Sequence, residues 1–271
     1  MLRLILSPSV GGTAGYLYDA VAALASSGGE AVLIVPEQYS FAAERIVLER
    51  LGTADAQRVE VLSFTRLANT VFNSVGWDKG KRLNEAGKIL LMSRALEQCT
   101  DKLTVYARSA DSPAVVRELL VLSEEFCQCA ISSEDIVSAM NNMEEGLLKD
   151  KLGDISLVFS VYDSFVSDGW LDDSRMLTRL KDKLAESGYF KNKTVFFDSF
   201  RGFTAQEFGI IGKILTQADD VCVALNAPDL TDVGSDDIFY HTKNTAKKLI
   251  KIANSVDVPL SLIHISEPTR H

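Results

Sequence analysis

The sequence predicts an α/β fold in which a parallel β-sheet is interrupted by an all-helical segment. Short apolar strand patterns alternate with helical patterns at both ends of the chain, as in parallel sheets built with crossover helices. The strand cores LRLIL and AVLIV are almost continuously apolar, which indicates strands covered on both faces. From Asn84 to about Gly188 the pattern contains helices and no convincing strand.

The first part of the sheet is predicted to come from three strand–helix units. The strands are Leu2–Leu6, Ala31–Val35 and Arg58–Leu62. The helices that follow them are Thr13–Ala25, Ser40–Leu51 and Phe64–Val75. A bend at Gly11-Gly12 is predicted to join the first strand to the first helix, because glycine favours turns.

The middle of the chain is predicted to form a helical subdomain. The composition changes at GWDKGK, residues 76–81, and five amphipathic helical patterns follow. Pro113 lies at the first turn of the second helix, and Ser132-Ser133 is a cap pair for the third. The five helices are Glu85–Gln98, Ala114–Cys129, Ser133–Met143, Leu147–Val166 and Asp173–Glu186.

The sheet pattern resumes after this segment. Its elements are Thr194–Phe197, Ala205–Leu215, Asp220–Leu225 and Phe239–Asn254. We therefore predict one discontinuous α/β domain, residues 1–82 and 190–258, into which residues 83–189 are inserted. Residues 261–271, SLIHISEPTRH, continue no periodicity and resemble a translated sequencing adapter. They are predicted to be a non-native tail on a truncated chain.

The composition argues against several classes of function. The formal charge is −9, which disfavours a general nucleic-acid binder because phosphate contacts need a basic face. Lys243, Lys247, Lys248 and Lys251 form either a local basic strip or, more commonly for such a run, a solvated helix face. His241 is the one histidine outside the tail, which argues against catalytic triads and His-ligated metal sites.

The cysteines and the apolar runs add two expectations. Cys99, Cys127, Cys129 and Cys222 lack metal-type spacing, so neither a metal site nor a catalytic residue is predicted. No apolar run is long enough for a secretory signal or a membrane span. We therefore expect a cytoplasmic protein with no membrane partner.

Residues 2–16, LRLILSPSVGGTAGY, have the pattern of a nucleotide-binding loop without its reactive side chains. A strand, a glycine-containing bend and a helix N-terminus together make an anion site from backbone N–H groups. The complete motif also needs a Lys for the phosphates and a Ser or Thr for Mg²⁺. Thr13 stands at the Lys position and Ala14 at the hydroxyl position. Gly11, Gly12, Thr13 and Ala14 are therefore predicted as a degenerate phosphate loop.

A second strand end also lacks a reactive side chain that a nucleotide site needs. Asp198 ends the apolar strand in VFFDSFRGFTAQE, residues 195–207, where open α/β sheets place ligand chemistry. In P-loop enzymes such an acid holds Mg²⁺, but Ser199 follows where a water-polarising glutamate is needed. Asp198 is predicted as a degenerate Mg²⁺ site, the alternative being a carboxylate that caps a turn. Pro36-Glu37-Gln38 either contacts a ligand or, by preference, simply ends a strand.

Four longer strings resemble a known family. They are VPEQYSFAAERIVLE, VEVLSFTRLANTVF, KLGDISLVFSVYDSFVSDGWLDDSRML and FFDSFRGFTAQE. In order and spacing, over roughly residues 1–258, they resemble the N-terminal part of the B subunit of AddAB (RexAB-type) ATP-dependent helicase–nucleases. Such long strings are more specific than a single glycine loop.

The resemblance implies a P-loop NTPase fold similar to the first motor domain of superfamily 1 helicases, with an inserted helical subdomain. It implies an A subunit that carries the main ATP-driven motor of a heterodimer, and DNA double-strand ends processed for recombinational repair. It also implies a nuclease domain with a four-cysteine iron–sulfur cluster, expected only in a C-terminal region outside these residues. Many members keep an intact phosphate loop, so Thr13 and Ala14 argue against ATP–Mg²⁺ binding and hydrolysis here.

Three functions stay open at this point. The first is a non-motor, helicase-like domain that helps to grip and channel DNA strands. The second is a residual ATP-binding domain that uses the backbone of Gly11 and Gly12 as an anion site. The third is a stand-alone Rossmann-like nucleotide-binding enzyme, which the absence of a G-x-G-x-x-G array and the long helical insert disfavour.

Overall fold

A computed structural model of the chain gives its fold. It describes residues 1–76, 80–231, 234 and 236–265. Part of the GWDKGK segment, residues 77–79, and the end of the predicted non-native tail, residues 266–271, lie outside the described residues.

The described residues contain eight strands and ten α-helices. The strands are β1 (Leu2–Ser7), β2 (Glu30–Ile34), β3 (Val59–Leu62), β4 (Lys81–Arg82), β5 (Trp170–Leu171), β6 (Lys193–Phe197), β7 (Asp220–Asn226) and β8 (Leu260–His264). The helices are α1 (Val10–Ser26), α2 (Ser40–Ala56), α3 (Phe64–Val75), α4 (Glu85–Cys99), α5 (Pro113–Gln128), α6 (Ser133–Asn141), α7 (Leu147–Ser167), α8 (Met176–Ser187), α9 (Ala205–Leu215) and α10 (Tyr240–Ser255).

The chain divides into two units. Unit 1 comprises Met1–Gly76 and Leu180–His271, and unit 2 comprises Trp77–Arg179. The units divide after Gly76 and after Arg179. The boundaries predicted from the sequence, at 82/83 and 189/190, lie C-terminal to these two positions.

Unit 1 is built on a six-stranded sheet in which every pairing is parallel. The strand order is β3-β2-β6-β7-β1-β8. The prediction of an α/β fold with a parallel sheet is thereby confirmed. Because the strands are parallel, the loops that follow β1, β2, β3, β6 and β7 all emerge at the same edge of the sheet.

The core of unit 1 follows from the apolar pattern of its strands and crossover helices. β1 and β2 are buried along almost their whole length, as expected for strands covered on both faces. On α1, the spacing of Leu17, Val21 and Ala25 places all three side chains on the face that packs on the sheet.

Unit 2 has a separate core made by α4, α5, α6 and α7. Pro113 is the first residue of α5, and Ser132 caps α6 in a capping box with Asp135. One expectation is wrong here: Trp170–Leu171 forms a short strand that pairs with Lys81–Arg82. A two-residue pairing is too short to produce a readable strand period.

The described part of the predicted non-native tail also takes part in the fold. β8 pairs with β1 from Leu260 to His264, and Ile263 and Ile265 pack against the core of unit 1. Residues 261–265 therefore continue the sheet pattern of unit 1, although their sequence shows no periodicity. Edge pairing needs only backbone groups, so the sequence pattern contains little indication of it. The non-native origin of these residues stays a prediction.

No helix within the described ranges combines the length and the apolar character that a membrane span requires.

Candidate functional site

The predicted phosphate loop is a short turn between β1 and α1. α1 begins at Val10 with Ser9 at the N-cap position, so Gly11 and Gly12 lie in its first turn. The prediction of a bend at these two glycines is therefore wrong, and the chain reverses at Pro8-Ser9 instead. The physical reason is that Ser9 supplies the extended backbone that an N-cap needs.

Gly12 lies at a closely packed point of the turn and does not have an unusual backbone angle. A Cβ atom at this position would lie 2.7 Å from Ser7 Oγ and 3.2 Å from Ser9 Oγ. A Cβ atom at Gly11 would meet nothing within 4 Å. Ser7 is fully buried, and its Oγ accepts a hydrogen bond from the Ser9 N–H group at 3.3 Å. The end of β1 and the start of α1 thus approach each other across Gly12.

Thr13 and Ala14 both serve packing in unit 1. The Thr13 hydroxyl is buried and donates to Asn226 Oδ1 at 3.1 Å, which joins α1 to the end of the neighbouring strand β7. Ala14 packs against the core of unit 1. Neither side chain supplies the cation or the metal-binding hydroxyl of a complete phosphate loop. The role of Gly11, Gly12, Thr13 and Ala14 as a degenerate phosphate loop stays a prediction.

Asp198 is a buried carboxylate at the end of β6. It accepts a hydrogen bond from the Ser199 hydroxyl at 3.1 Å, and no cationic side chain among the described residues forms an ion pair with it. Burial raises its pKa above the ordinary value, and the Ser199 hydrogen bonds only partly oppose this. Burial and then the charge of Asp198 raise the pKa of Tyr18 on α1 to about 12.

Asp198 and the β1–α1 turn share one edge of the sheet but are not neighbours. β7 lies between β6 and β1, which separates the two strand ends by two strand spacings, about 10 Å. The role of Asp198 in binding Mg²⁺ stays a prediction. Ser199 has a positive φ of 65°, so the chain turns sharply directly after the carboxylate.

An open cleft of about 680 Å³ lies at the same edge, at the ends of β2, β3 and β6. Three loops form its walls, one after each strand. The lining residues are Val35, Pro36, Glu37, Gln38, Tyr39, Ser63, Phe64, Thr65, Ser199, Phe200, Arg201, Gly202 and Glu207. Among these described lining residues, none belongs to the predicted phosphate loop.

Aromatic rings form one side of this cleft. The ring centroid of Phe200 lies 5.8 Å from that of Phe64 and 4.7 Å from that of Phe203. Tyr39 is about half exposed on the opposite loop. Arg201 adds a positive charge, which makes the cleft an aromatic surface with a cation beside it.

Polar groups complete the lining. Glu207 is held at the start of α9 by a capping box, in which its carboxylate accepts from the Thr204 N–H group at 2.7 Å. Ser63 caps α3 by accepting from the Arg66 N–H group at 3.2 Å. Glu37 and Gln38, in the segment after β2, also line the cleft. The cleft therefore offers amide and hydroxyl groups together with charges of both signs.

Two of the three walls of this cleft come from segments that the sequence singles out, Pro36-Glu37-Gln38 and the segment after Asp198, whereas the wall after β3 is not among the predicted sites. The sequence pattern favours a strand end for Pro36-Glu37-Gln38, and the structure places this segment in the cleft as well. Phe64 and Phe200 are not among the predicted site residues. A usable pattern exists, because a Ser-Phe pair follows both β3 and β6 at the edge where parallel sheets bind ligands.

No set of three or more His, Cys, Asp and Glu side chains is arranged to hold a metal ion anywhere in the described part of the chain. The four cysteines are free thiols. Burial raises the pKa of the Cys222 thiol to about 11, which makes it unreactive.

Comparison with known proteins gives consistent matches over most of the chain. The family model described as the ADDB N-terminal region matches residues 4–271. The chain is 30% identical over 268 residues to the B subunit of the ATP-dependent helicase/deoxyribonuclease from Clostridium acetobutylicum. It is 34% identical over 238 residues to the protein of the same name from Ruminiclostridium cellulolyticum, and 32% identical over 236 residues to that of Caldanaerobacter subterraneus subsp. tengcongensis.

These alignments cover 96%, 86% and 85% of this chain, but only 23%, 21% and 20% of the three relatives. The chain thus spans about a fifth of the length of the proteins that it matches.

Proposed function

The chain belongs to the family of AddB N-terminal regions, and on this basis we propose that it is a non-motor, helicase-like domain that holds a DNA strand. In this proposal it forms part of the B subunit of a two-subunit helicase–nuclease that processes double-strand DNA ends for recombinational repair. The A subunit supplies the motor, and the fold is that of the first motor domain of superfamily 1 helicases. Nuclease activity and an iron–sulfur cluster are proposed for the remainder of such a protein.

The observation that carries the proposal is the cleft at the ends of β2, β3 and β6. Proteins that hold single-stranded nucleic acid stack bases on aromatic side chains and place cations near the backbone. Phe200 and Tyr39 supply partly exposed rings at this cleft, the buried Phe64 packs edge-on against Phe200, and Arg201 supplies a guanidinium group. The location agrees with this role, because open α/β sheets bind ligands at the carboxyl ends of their strands.

The side chains at the predicted nucleotide site support a non-motor role. Thr13 carries no charge, and its hydroxyl donates to Asn226. Ala14 has no metal-binding hydroxyl, and Ser199 stands where a catalytic glutamate is needed. Lys and Mg²⁺ supply much of the charge stabilisation in phosphoryl transfer, so their loss costs several kcal/mol of transition-state stabilisation.

Strand binding is tested by the fluorescence anisotropy of a labelled oligothymidylate titrated with the chain. Phe200→Leu removes a stacking surface at similar volume, and we expect it to weaken binding by about 5-fold or more, since a stacked base is worth about 1–3 kcal/mol. Phe41→Leu is the matched control, because Phe41 is exposed on α2 outside the cleft. Equal affinities of the two variants, or a wild-type chain that does not bind, would overturn the proposal.

The residual ATP-binding domain is the second candidate, favoured by the α1 N-terminus at the carboxyl end of β1. A thermal-shift titration with Mg-ATP separates the two proposals. We expect no stabilisation at millimolar nucleotide, and ATP turnover no higher than that of Thr13→Ala. Stabilisation by Mg-ATP without turnover would favour the residual site, and turnover above the Thr13→Ala control would contradict the non-motor role.

A further inference from the structure

Resting on the proposed function, we infer that a second pocket beside the cleft, between the 201–203 loop and α10, binds the phosphodiester backbone of the same DNA strand. This pocket has a volume of about 400 Å³. Its lining residues are Arg201, Gly202, Phe203, Phe208, His241, Asn244, Thr245, Lys247 and Lys248.

One face of α10 forms a wall of the pocket. His241, Asn244, Thr245 and Lys248 are spaced three, four and seven residues from the first, which places them in one stripe along the helix. The stripe starts in the first turn, where the helix dipole also favours an anion. Backbone dipole and side chains therefore present positive charge and hydrogen-bond donors to the same space.

The charge of this pocket differs from that of the whole chain. Arg201, Lys247 and Lys248 line it, and none of its described lining residues is acidic, although the chain has a formal charge of −9. Lys248 Nζ lies 5.4 Å from the centroid of the Phe208 ring, and this contact holds the ammonium group at the pocket wall. A basic pocket on an acidic chain selects anionic ligands.

The structure also separates the four lysines of α10 by role. Lys243 is buried in ion pairs with Asp229 at 3.2 Å and Asp237 at 3.0 Å, so its charge is neutralised. Lys247 and Lys248 line the pocket, and Lys251 is exposed outside it. Neither a single basic strip nor a wholly solvated face describes these residues.

The pocket and the cleft adjoin each other. Arg201 and Gly202 line both; Phe200 lines the cleft and Phe203 lines the pocket, and their ring centroids lie 4.7 Å apart. The loop contacts α10 at Thr245, whose hydroxyl donates to the His241 carbonyl of its own helix at 2.9 Å and lies 3.4 Å from the Arg201 carbonyl oxygen. A ligand with flat rings and a charged backbone matches this pair of sites, since one has aromatic walls and the other cations.

The test is the salt dependence of oligothymidylate binding by the 271-residue chain. Each phosphate contact that is lost reduces the slope of log K against log salt by about 0.7 for single strands. We expect this reduction for Lys248→Gln, equal weakening for oligonucleotides of different sequence, and a wild-type slope for Lys248→Arg. Lys251→Gln, on the same helix outside the pocket, is expected to retain the wild-type slope.

The outcomes separate this inference from the function on which it rests. If Phe200→Leu weakens binding but Lys248→Gln behaves like Lys251→Gln, the pocket assignment is overturned and the strand-holding function stands. If the wild-type chain does not bind the oligonucleotide, both are overturned. Competition by inorganic phosphate at constant ionic strength distinguishes a site for free phosphate from a site for the DNA backbone. Displacement of the oligonucleotide at low millimolar phosphate would overturn the assignment to a nucleic-acid backbone.

Discussion

Gly11 and Gly12 are adjacent in the first turn of α1, yet they differ in their tolerance of a side chain. A Cβ atom on Gly12 would force the buried Ser7 hydroxyl to move, whereas Gly11 faces open space. We predict that Gly12→Ala lowers the free energy of unfolding by about 1–3 kcal/mol, as overpacking does. Gly11→Ala is expected to be neutral or to stabilise the chain by up to about 1 kcal/mol, because alanine favours helix.

Urea unfolding measures the free energy of unfolding of both variants, and each variant serves as the control for the other. Equal midpoints would contradict the structure at this turn. Both glycines belong to the predicted phosphate loop, but only Gly12 packs against β1. A loss of stability confined to Gly12→Ala would therefore show that this glycine is needed for packing.

Asp198 gives a prediction about pH. Its folded-state pKa is raised by burial, so the folded chain binds a proton more readily than the unfolded chain. Its contribution to stability is therefore greatest at low pH and declines as the pH rises above the ordinary carboxyl value of 3.8. We predict that Asp198→Asn, which can still accept from Ser199, is more stable than the wild type at pH 7.

The measurement is urea unfolding of both proteins between pH 4 and pH 7.5. The stability advantage of Asp198→Asn should widen as the pH rises. An advantage of the wild type that appears only with added Mg²⁺ would instead identify Asp198 as a metal ligand and favour the residual nucleotide site.

At the scale of elements, the regular helices and strands are predictable because their apolar residues recur at the correct periods. The predicted start of α1 is misplaced by three residues, since two glycines indicate a bend although the extended backbone of Ser9 already precedes the helix. β5 and β8 are missed because a short or edge strand depends on a distant backbone partner rather than on its own pattern.

The cleft is only partly predictable for a related reason. Its location at the carboxyl edge of a parallel sheet follows from general rules, and Pro36–Gln38 is a candidate ligand contact there. The approach of the loops after β3 and β6 depends on the strand order β3-β2-β6, which no local pattern contains. Phe64, the first residue of α3, and Phe200 are more than one hundred residues apart in the chain, so their ring contact becomes visible only in the fold.

In unit 2, a buried ion cluster connects helices α4 and α5 to the turn after β5. Lys88 Nζ lies 2.6 Å from Glu124 Oε1 and 3.1 Å from Asp172 Oδ1, and the Asp172 side chain is only 3% exposed. We predict that Lys88→Met lowers the free energy of unfolding by about 3 kcal/mol, because it leaves a buried carboxylate with a weaker partner. This loss is at the low end of the range for broken buried ion pairs, because Arg175 Nε, 3.8 Å from Asp172, remains as a second cationic partner.

The pH dependence follows from the same cluster. Although burial opposes it, hydrogen bonds from Ser174 and Lys88 lower the pKa of Asp172, so its stabilising contribution is complete above about 3.8 and is lost as the pH falls. Chemical unfolding at pH 7 and at pH 2.5 is the measurement, and the difference between the wild type and Lys88→Met should shrink at the lower pH. Lys149→Met is the control, because the Lys149–Glu145 pair is on the surface and contributes under about 1 kcal/mol. Similar losses in the two variants at pH 7 would show that the buried cluster is not stabilising.

At the scale of the whole molecule, the two units differ in how their cores are built. The core of unit 1 needs strands from both ends of the chain, since β1 pairs with β7 and β2 pairs with β6. The core of unit 2 comes entirely from residues between Leu83 and Val166. A continuous segment with a core of its own is expected to fold independently of its flanking sequence.

We therefore predict that residues 77–179, produced alone, give a helical circular dichroism spectrum and a single cooperative thermal transition. Phe159→Ala in this segment should abolish or strongly lower that transition, because truncation of a buried phenylalanine costs about 3–5 kcal/mol. The same substitution in the full chain should destabilise unit 2 before the sheet of unit 1 unfolds. If the isolated segment lacks a cooperative transition, its helices depend on unit 1 for their stability. The sheet and the helical insert would then unfold as one cooperative structure.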